Sequence, residues 1–175
     1  IGTNAFSYCS KISSIIIPST VTNLGNSDDY LWYGSNSFEG CDMLNSIIVA
    51  SENPVYDSRE NCNAIIETST NKLITGCSTT LIPNSVTRIN TSAFRNCSGL
   101  TSVIIPEGVR TIGGEAFGHC INLTSAKIPQ SITCMENGVF INCSNLSSVI
   151  FSVGEIEFWG DADFARCTSL PVIEN

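Results

Sequence analysis

The chain has 175 residues, and its 8 lysine and arginine residues against 16 acidic residues give a net charge of −8. This acidic balance argues against nucleic acid, whose binding depends on neutralised phosphates, and against anionic membrane surfaces. No apolar run approaches the roughly 20 residues that span a membrane, so we expect no membrane insertion by this segment. The chain is long enough to bury a hydrophobic core, and we expect one domain over residues 1–175.

A short signature repeats along the chain: a phenylalanine, a cysteine three residues later, and a leucine or isoleucine three residues after that. It begins at Phe6, Phe38, Phe94, Phe117, Phe140 and Phe164. The last four copies are separated by 23, 23 and 24 residues (94 to 117, 117 to 140 and 140 to 164). A fixed period of this size predicts a repeat architecture.

Each signature leads into a short apolar stretch that we interpret as a strand. The six predicted strands lie at 13–18, 45–50, 79–83, 101–106, 124–129 and 147–152, with a seventh at 171–173. Residues two apart share a face of a strand, so pairs such as Val103 with Ile105 and Val149 with Phe151 should point inward. A second short extended piece should follow, as at Val109 with Ile112, and the Phe-Cys segment should close each repeat as a short helical turn.

The clearest copy, residues 113–132 with the sequence GGEAFGHCINLTSAKIPQSI, resembles the BspA-like leucine-rich repeats of bacterial surface proteins. The resemblance covers nearly the whole chain, although residues 26–34 and 153–160 fit poorly. We therefore expect an α/β-type repeat solenoid of six to seven leucine-rich repeats of about 23 residues, with a parallel sheet and short helical turns. Because the chain begins inside a repeat, we also expect it to be a piece of a longer surface protein.

The first departure from the repeat, at 26–34, carries Tyr30, Trp32 and Tyr33. Tyrosine and tryptophan are common at binding hot spots, which favours an exposed recognition loop. Large aromatic side chains also bury readily, and a lid packed on the core explains the same residues. Both interpretations remain open.

The second departure, at 50–80, should contain one β-hairpin insertion. The segments NAIIE and KLITG flank TSTN, which is typical of a four-residue hairpin loop. Symmetric pairing would place Glu67 opposite Lys72 and Cys62 opposite Cys77. Such a cysteine pair allows either a disulfide or two packed thiols.

The nine cysteines do not resemble a disulfide framework. Six of them occupy one repeated inward position, where cysteine acts as a small apolar residue, and parallel repeats would hold them too far apart for a relaxed disulfide. We expect these six to be free and buried, and the same holds for Cys134.

No catalytic or metal-binding constellation is evident in the sequence. His119 lies at a variable position of the signature, and Cys120 beside it belongs to the inward cysteines, which argues against a Cys-His dyad. Asp161 and Asp163 lack the other ligands of a calcium loop, so we expect a solvated turn there. We predict neither an enzyme nor a cofactor site.

One column of side chains should face outward on the broad sheet: Ile16, Ile48, Leu81, Ile104, Lys127 and Ile150. A contiguous apolar patch commonly marks a contact surface, so this column is the predicted ligand-binding face. The strand preference of β-branched residues offers a second explanation.

The predicted function is a non-enzymatic binding or adhesion module, secreted or displayed on the cell surface. The resemblance implies a protein partner such as a host extracellular matrix or surface protein. The alternative is a structural spacer that displays another domain of the parent protein.

Overall fold

The computed structural model describes residues 1–25, 36–152 and 156–171. The predicted loop of Tyr30, Trp32 and Tyr33, and most of the predicted seventh strand, lie outside these residues. Within them the strands are β1 (Ser14–Ile17), β2 (Ser46–Val49), β3 (Tyr56–Asp57), β4 (Ala64–Glu67), β5 (Lys72–Gly76), β6 (Arg88–Ile89), β7 (Ser102–Ile104), β8 (Thr111–Ile112), β9 (Ser125–Ile128), β10 (Cys134–Met135), β11 (Ser148–Phe151) and β12 (Phe158–Trp159). The helical structure in the same ranges is one 3-10 turn, Arg59–Asn61.

Five of the six strands predicted from the repeat form, and they pair in parallel. β1 pairs with β2, and Ile16 lies opposite Ile48. β7, β9 and β11 form a separate sheet in which Lys127 of β9 lies opposite both Ile104 and Ile150. The predicted parallel pairing is therefore confirmed for these strands.

The sixth predicted strand, at 79–83, does not form, because the insertion takes the edge of β2 that it would have paired with. The amide of Val49 donates to Ser58 Oγ at 3.0 Å, and the amide of Ile47 donates to Asn63 Oδ1 at 3.4 Å. The amide of Leu81 donates to the carbonyl of Cys62 at 3.1 Å. Residues 58–63 therefore lie between β2 and the segment that carries Leu81, and the predicted continuous sheet is divided.

The second extended pieces form another sheet, whose strand order is β12-β10-β8-β6-β5-β4-β3. The two-residue strands β6, β8, β10 and β12 are parallel, as the repeat predicts. The insertion extends this sheet: β5 pairs in parallel with β6, and β4 and β3 continue it in antiparallel pairing.

The hairpin forms as predicted near its loop but shifts register further along. Glu67 pairs with Lys72, after which a bulge between Ile65 and Ile66 moves Ile65 opposite Thr75. The extra residue removes Cys62 from its predicted position opposite Cys77. Both thiols are free and buried, and they belong to separate core clusters, so the predicted disulfide alternative is wrong.

The Phe-Cys segments are turns and not the short helical turns that the sequence predicted. In the segments around Phe94, Phe117 and Phe140, one residue before and one residue after the phenylalanine have a positive φ angle. Around Phe117 these residues are Glu115 (50°) and His119 (60°). A right-handed helix requires negative φ at every residue, so these segments cannot be helical. The α/β description is corrected accordingly, because the described residues contain almost no helix.

The turns stack through their phenylalanines. The rings of Phe94, Phe117, Phe140 and Phe164 lie in a continuous stack with centroid distances of 4.9, 5.2 and 5.5 Å. Phe6 and Phe38 form a separate stack at 5.4 Å. The insertion lies between the two stacks and contributes to the core on both sides, Ile65 and Ile74 to one cluster and Ile66 and Leu73 to the other.

The cysteines of the signature pack beside these stacks, and all nine cysteines, which fall within the described ranges, are free. The thiols of Cys41, Cys120, Cys143 and Cys167 each donate to the carbonyl of the phenylalanine one turn earlier, at 3.1–3.2 Å. Cys9 is exposed, contrary to the prediction, because no other turn of the described residues covers it on that side. Cys97 and Cys134 were also predicted to be buried, and both are only partly buried.

Candidate functional site

The predicted outward column is exposed at every position. The exposed fractions are 69% for Ile16, 50% for Ile48, 78% for Leu81, 71% for Ile104 and 57% for Ile150, and Lys127 is exposed as well. Inward residues that alternate with them, such as Ile47 and Ile105, are buried. Alternation along each strand explains this difference, since successive side chains point to opposite faces.

The insertion divides the column into two apolar patches. The β1–β2 patch consists of Ile16 and Ile48, which lie in register. The β7–β9–β11 patch consists of Ile104, Lys127 and Ile150, which also lie in register. Leu81 falls between the patches on a segment that is not a strand.

The serines beside the two patches have unused hydroxyl groups. Ser102, Ser125 and Ser148 lie in register next to the larger patch, and Ser14 and Ser46 lie next to the smaller one. Their hydroxyls make no hydrogen bond with any other described residue, so their donors and acceptors are available to a ligand.

The neighbouring hydroxyl column has a different role. Thr124 Oγ1 donates to the carbonyl of Thr101 at 2.9 Å, and Ser147 Oγ donates to that of Thr124 at 3.3 Å. These hydroxyls link successive repeats.

A second exposed apolar cluster was not predicted. Phe151 lies at the inward register of Ile128, yet it is exposed, as are Phe158 and Trp159. The Phe151 and Trp159 rings are 5.6 Å apart and border a cleft of about 190 Å³ with Pro129 and Ile132. The inward prediction for Phe151 fails because, within the described residues, no further repeat covers β11.

The described residues contain no arrangement that points to catalysis. His119 is partly exposed, and its Nε2 lies 3.4 Å from Nδ2 of Asn142. The pKa of His119 is lowered chiefly by burial. Burial also raises the pKa of the Cys120 thiol, and that of Cys97 to about 12, so neither supplies a reactive thiolate at neutral pH.

Asp163 does not lie in the solvated turn that the sequence predicted. Its side chain is buried, where the equivalent residues of inner turns are Ala116 and Val139. Its Oδ1 accepts the amide of Val139 at 3.0 Å, whereas its Oδ2 is buried without a partner. Burial raises the pKa of this carboxyl to about 6. Among the described residues no three metal-ligating side chains come together, and no helix is long and apolar enough to cross a membrane.

The repeat geometry agrees with comparisons to known proteins. The model of a protein family described as "BspA type Leucine rich repeat region" matches this chain with six copies of the repeat. The matches cover residues 1–74 and 65–174. The chain belongs to the BspA-type leucine-rich repeat family. This family occurs in bacterial surface proteins. No curated protein matches the sequence.

Solved structures of leucine-rich repeat proteins share the fold. A leucine-rich repeat protein from Eubacterium ventriosum aligns with a TM-score of 0.71 at 21% identity, over 90% of this chain and 41% of its own. The pneumococcal vaccine antigen PcpA gives 0.68 at 21% identity, over 85% and 35%. A leucine-rich cell surface protein from Faecalibacterium prausnitzii gives 0.57 at 28% identity, over 91% and 47%. The BspA-type chain thus spans less than half the length of these three proteins.

Proposed function

We propose that this chain is a non-enzymatic binding module, a single solenoid of six to seven BspA-type repeats of about 23 residues that contacts a protein partner through its outward sheet face. The observation that carries the proposal is the two patches of exposed isoleucines, each held in register on parallel strands. A flat apolar surface on a rigid scaffold loses little conformational entropy on binding. A contiguous apolar patch on a soluble repeat protein is a common contact surface.

The unused serine hydroxyls strengthen this proposal. They border both patches, so a partner that covers the isoleucines also meets donors and acceptors at the rim. An apolar centre with a polar border is the usual anatomy of a protein interface. The predicted loop of Tyr30, Trp32 and Tyr33 would add a second contact.

We propose that the module acts outside a bacterial cell or on its surface, where a host extracellular matrix or surface protein is the partner. The cell surface protein of Faecalibacterium prausnitzii and the vaccine antigen PcpA are related repeat proteins, which supports this location. The β7–β9–β11 patch and the serines beside it contain no acidic side chain. The overall charge of −8 therefore does not oppose an apolar contact on this sheet face.

Binding to a panel of immobilised host matrix proteins tests the proposal. The native chain is compared with a variant carrying Ile48→Glu, Ile104→Glu and Ile150→Glu. A matched control carries Met43→Glu and Ile121→Glu, which replace exposed apolar residues of the turns. We expect saturable binding that moderate salt preserves, that the sheet variant loses while folded, and that the control retains.

Two outcomes contradict the proposal. Binding that the sheet variant retains moves the site away from the isoleucines. A native chain that binds no panel protein favours the structural spacer, which would act only through its length.

A further inference from the structure

We infer that Lys127 makes the β7–β9–β11 patch selective for a protein surface that carries a carboxylate between apolar groups. The inference rests on the binding role proposed above and adds the chemistry of the partner.

Lys127 lies at the centre of the patch. Its strand is the middle one of three, and Ile104 and Ile150 flank it at the same register. Adjacent strands are about 4.8 Å apart, so the three side chains form one short line. A partner that covers both isoleucines must also cover the lysine between them.

The ion pairs of the chain leave this lysine unused. Of the eight cationic side chains, all in the described ranges, four pair with carboxylates of other described residues. These four are Arg59, Lys72, Arg88 and Arg95. Lys127 has neither an ion pair nor a hydrogen bond with the described residues, although acidic residues outnumber basic ones by 16 to 8. The ammonium group is therefore available to a partner.

The apolar neighbours make the charge of the partner matter. When a partner covers Ile104 and Ile150, it displaces water from Lys127, and an ammonium group without a counter-charge then opposes binding. A carboxylate at the matching point of the partner pairs with the ammonium group and offsets this penalty. A neutral or basic surface of the same shape is rejected, because specificity depends on such unpaired or like charges.

A solubilising role is the competing explanation. A lysine on an otherwise apolar strand can simply prevent association with other chains. The two explanations differ in one result, since a solubilising lysine can be replaced without changing the chemistry of the ligands that bind.

Selection from a phage-displayed random peptide library separates them. Peptides are selected on the native chain and counter-selected on the folded variant Ile104→Glu with Ile150→Glu, which keeps the peptides that need the patch. The retained peptides are then measured against Lys127→Met, Lys127→Arg and Lys127→Glu. Thermal unfolding and light scattering establish that each variant is folded and monodisperse.

We expect the retained peptides to be enriched in aspartate or glutamate flanked by apolar residues. Lys127→Met should weaken the affinity for these peptides about tenfold or more, because one desolvated charge contact is lost. The affinity of Lys127→Arg should stay within about threefold of that of the native chain. Lys127→Glu should select basic peptides in place of acidic ones. Higher salt should weaken the native complex more than that of Lys127→Met.

The inference is overturned if the retained peptides show no acidic enrichment and bind Lys127→Met as tightly as the native chain. That result leaves the binding role of the patch standing. Aggregation of Lys127→Met together with that result assigns the lysine to solubility. If no selected peptide depends on Ile104 and Ile150, the proposed function itself fails, and the inference fails with it.

Discussion

The amide of Val49 donates to the hydroxyl of Ser58 at 3.0 Å, across the edge of β2 that the repeat would otherwise pair with its next strand. The side chain of an inserted residue thus replaces a strand hydrogen bond. Asn63 does the same for Ile47 at 3.4 Å. The insertion therefore ends one sheet without leaving its edge amides unsatisfied, which a buried edge requires.

Removing this hydroxyl should cost stability. Ser58→Ala leaves the Val49 amide without its acceptor, and we expect the free energy of unfolding to fall by about 1 kcal/mol. Urea unfolding followed by circular dichroism measures the change. Ser69→Ala, an exposed serine of the hairpin loop, is the control and should be neutral. A neutral Ser58→Ala would show that the insertion does not depend on this contact.

Arg95 should hold together the turns on either side of the insertion. Its Nη1 donates to Glu39 Oε1 at 2.6 Å and its Nε donates to Glu115 Oε2 at 2.7 Å. Glu39 is buried, so Arg95→Met should leave a poorly compensated carboxylate and lower the free energy of unfolding by about 2 kcal/mol. Adding Glu39→Gln should recover part of the loss in a double-mutant cycle.

The control for this pair is Arg166→Met, which removes an exposed arginine that has no ion pair with the described residues. Equal losses for Arg95→Met and Arg166→Met would contradict the structural role of the Glu39–Arg95 contact.

Asp163 should make stability depend on pH. Burial raises its pKa from 3.8 to about 6, so the folded state prefers the protonated carboxyl. Ionisation of this carboxyl does not destabilise the folded state below about pH 4, where it is protonated in both states. The loss of stability grows as the pH rises towards about 6 and stays constant at higher pH. We expect Asp163→Asn, which keeps an acceptor for Val139, to raise the free energy of unfolding by about 2 kcal/mol at pH 7 and much less at pH 4.

Thermal unfolding across this pH range measures the effect of Asp163→Asn. Asp161→Asn changes the exposed neighbour and should leave the pH dependence in place. A pH profile of Asp163→Asn that matches the native profile would show that this carboxyl is not the source.

The phenylalanine stack should be most sensitive at its centre. Phe117 is fully buried between Phe94 and Phe140, and Phe117→Ala should lower the free energy of unfolding by about 3–5 kcal/mol through lost burial and a cavity. Phe6 is exposed by 37%, so Phe6→Ala should cost clearly less. Chemical denaturation of both variants tests the difference, and equal losses would contradict the stack as the main support of the core.

The repeat could be predicted well because its information is periodic. The spacing of phenylalanine, cysteine and leucine placed the buried residues, and the alternation within strands placed Ile104 and Ile150 outside. The exposed column could therefore be predicted from the sequence, whereas its division could not.

The errors arose where one residue or one side chain decides the outcome. A single-residue bulge beside Ile65 moved Cys62 away from Cys77, and no propensity marks such a shift. The side chains of Ser58 and Asn63 ended the sheet at β2, a tertiary contact that local sequence does not encode.

The turn conformation could have been found. Asparagine or glycine recurs at the two turn positions with positive φ, as at Asn96, Gly138 and Asn142. These residues adopt the left-handed region more readily than others, so their recurrence argued for turns over helix. Glu115 and His119 adopt the same conformation without that signal.

Hydroxyl-radical footprinting of the complex tests the binding face most directly. The probe is the first matrix protein of the panel that binds saturably, and mass spectrometry reads side-chain oxidation with and without it. The account predicts that Ile104 and Ile150 lose labelling on binding, while Met43 and Phe158, which are also exposed, keep theirs. Unchanged labelling of Ile104 and Ile150, with protection elsewhere, would contradict the claim that this sheet face is the contact surface.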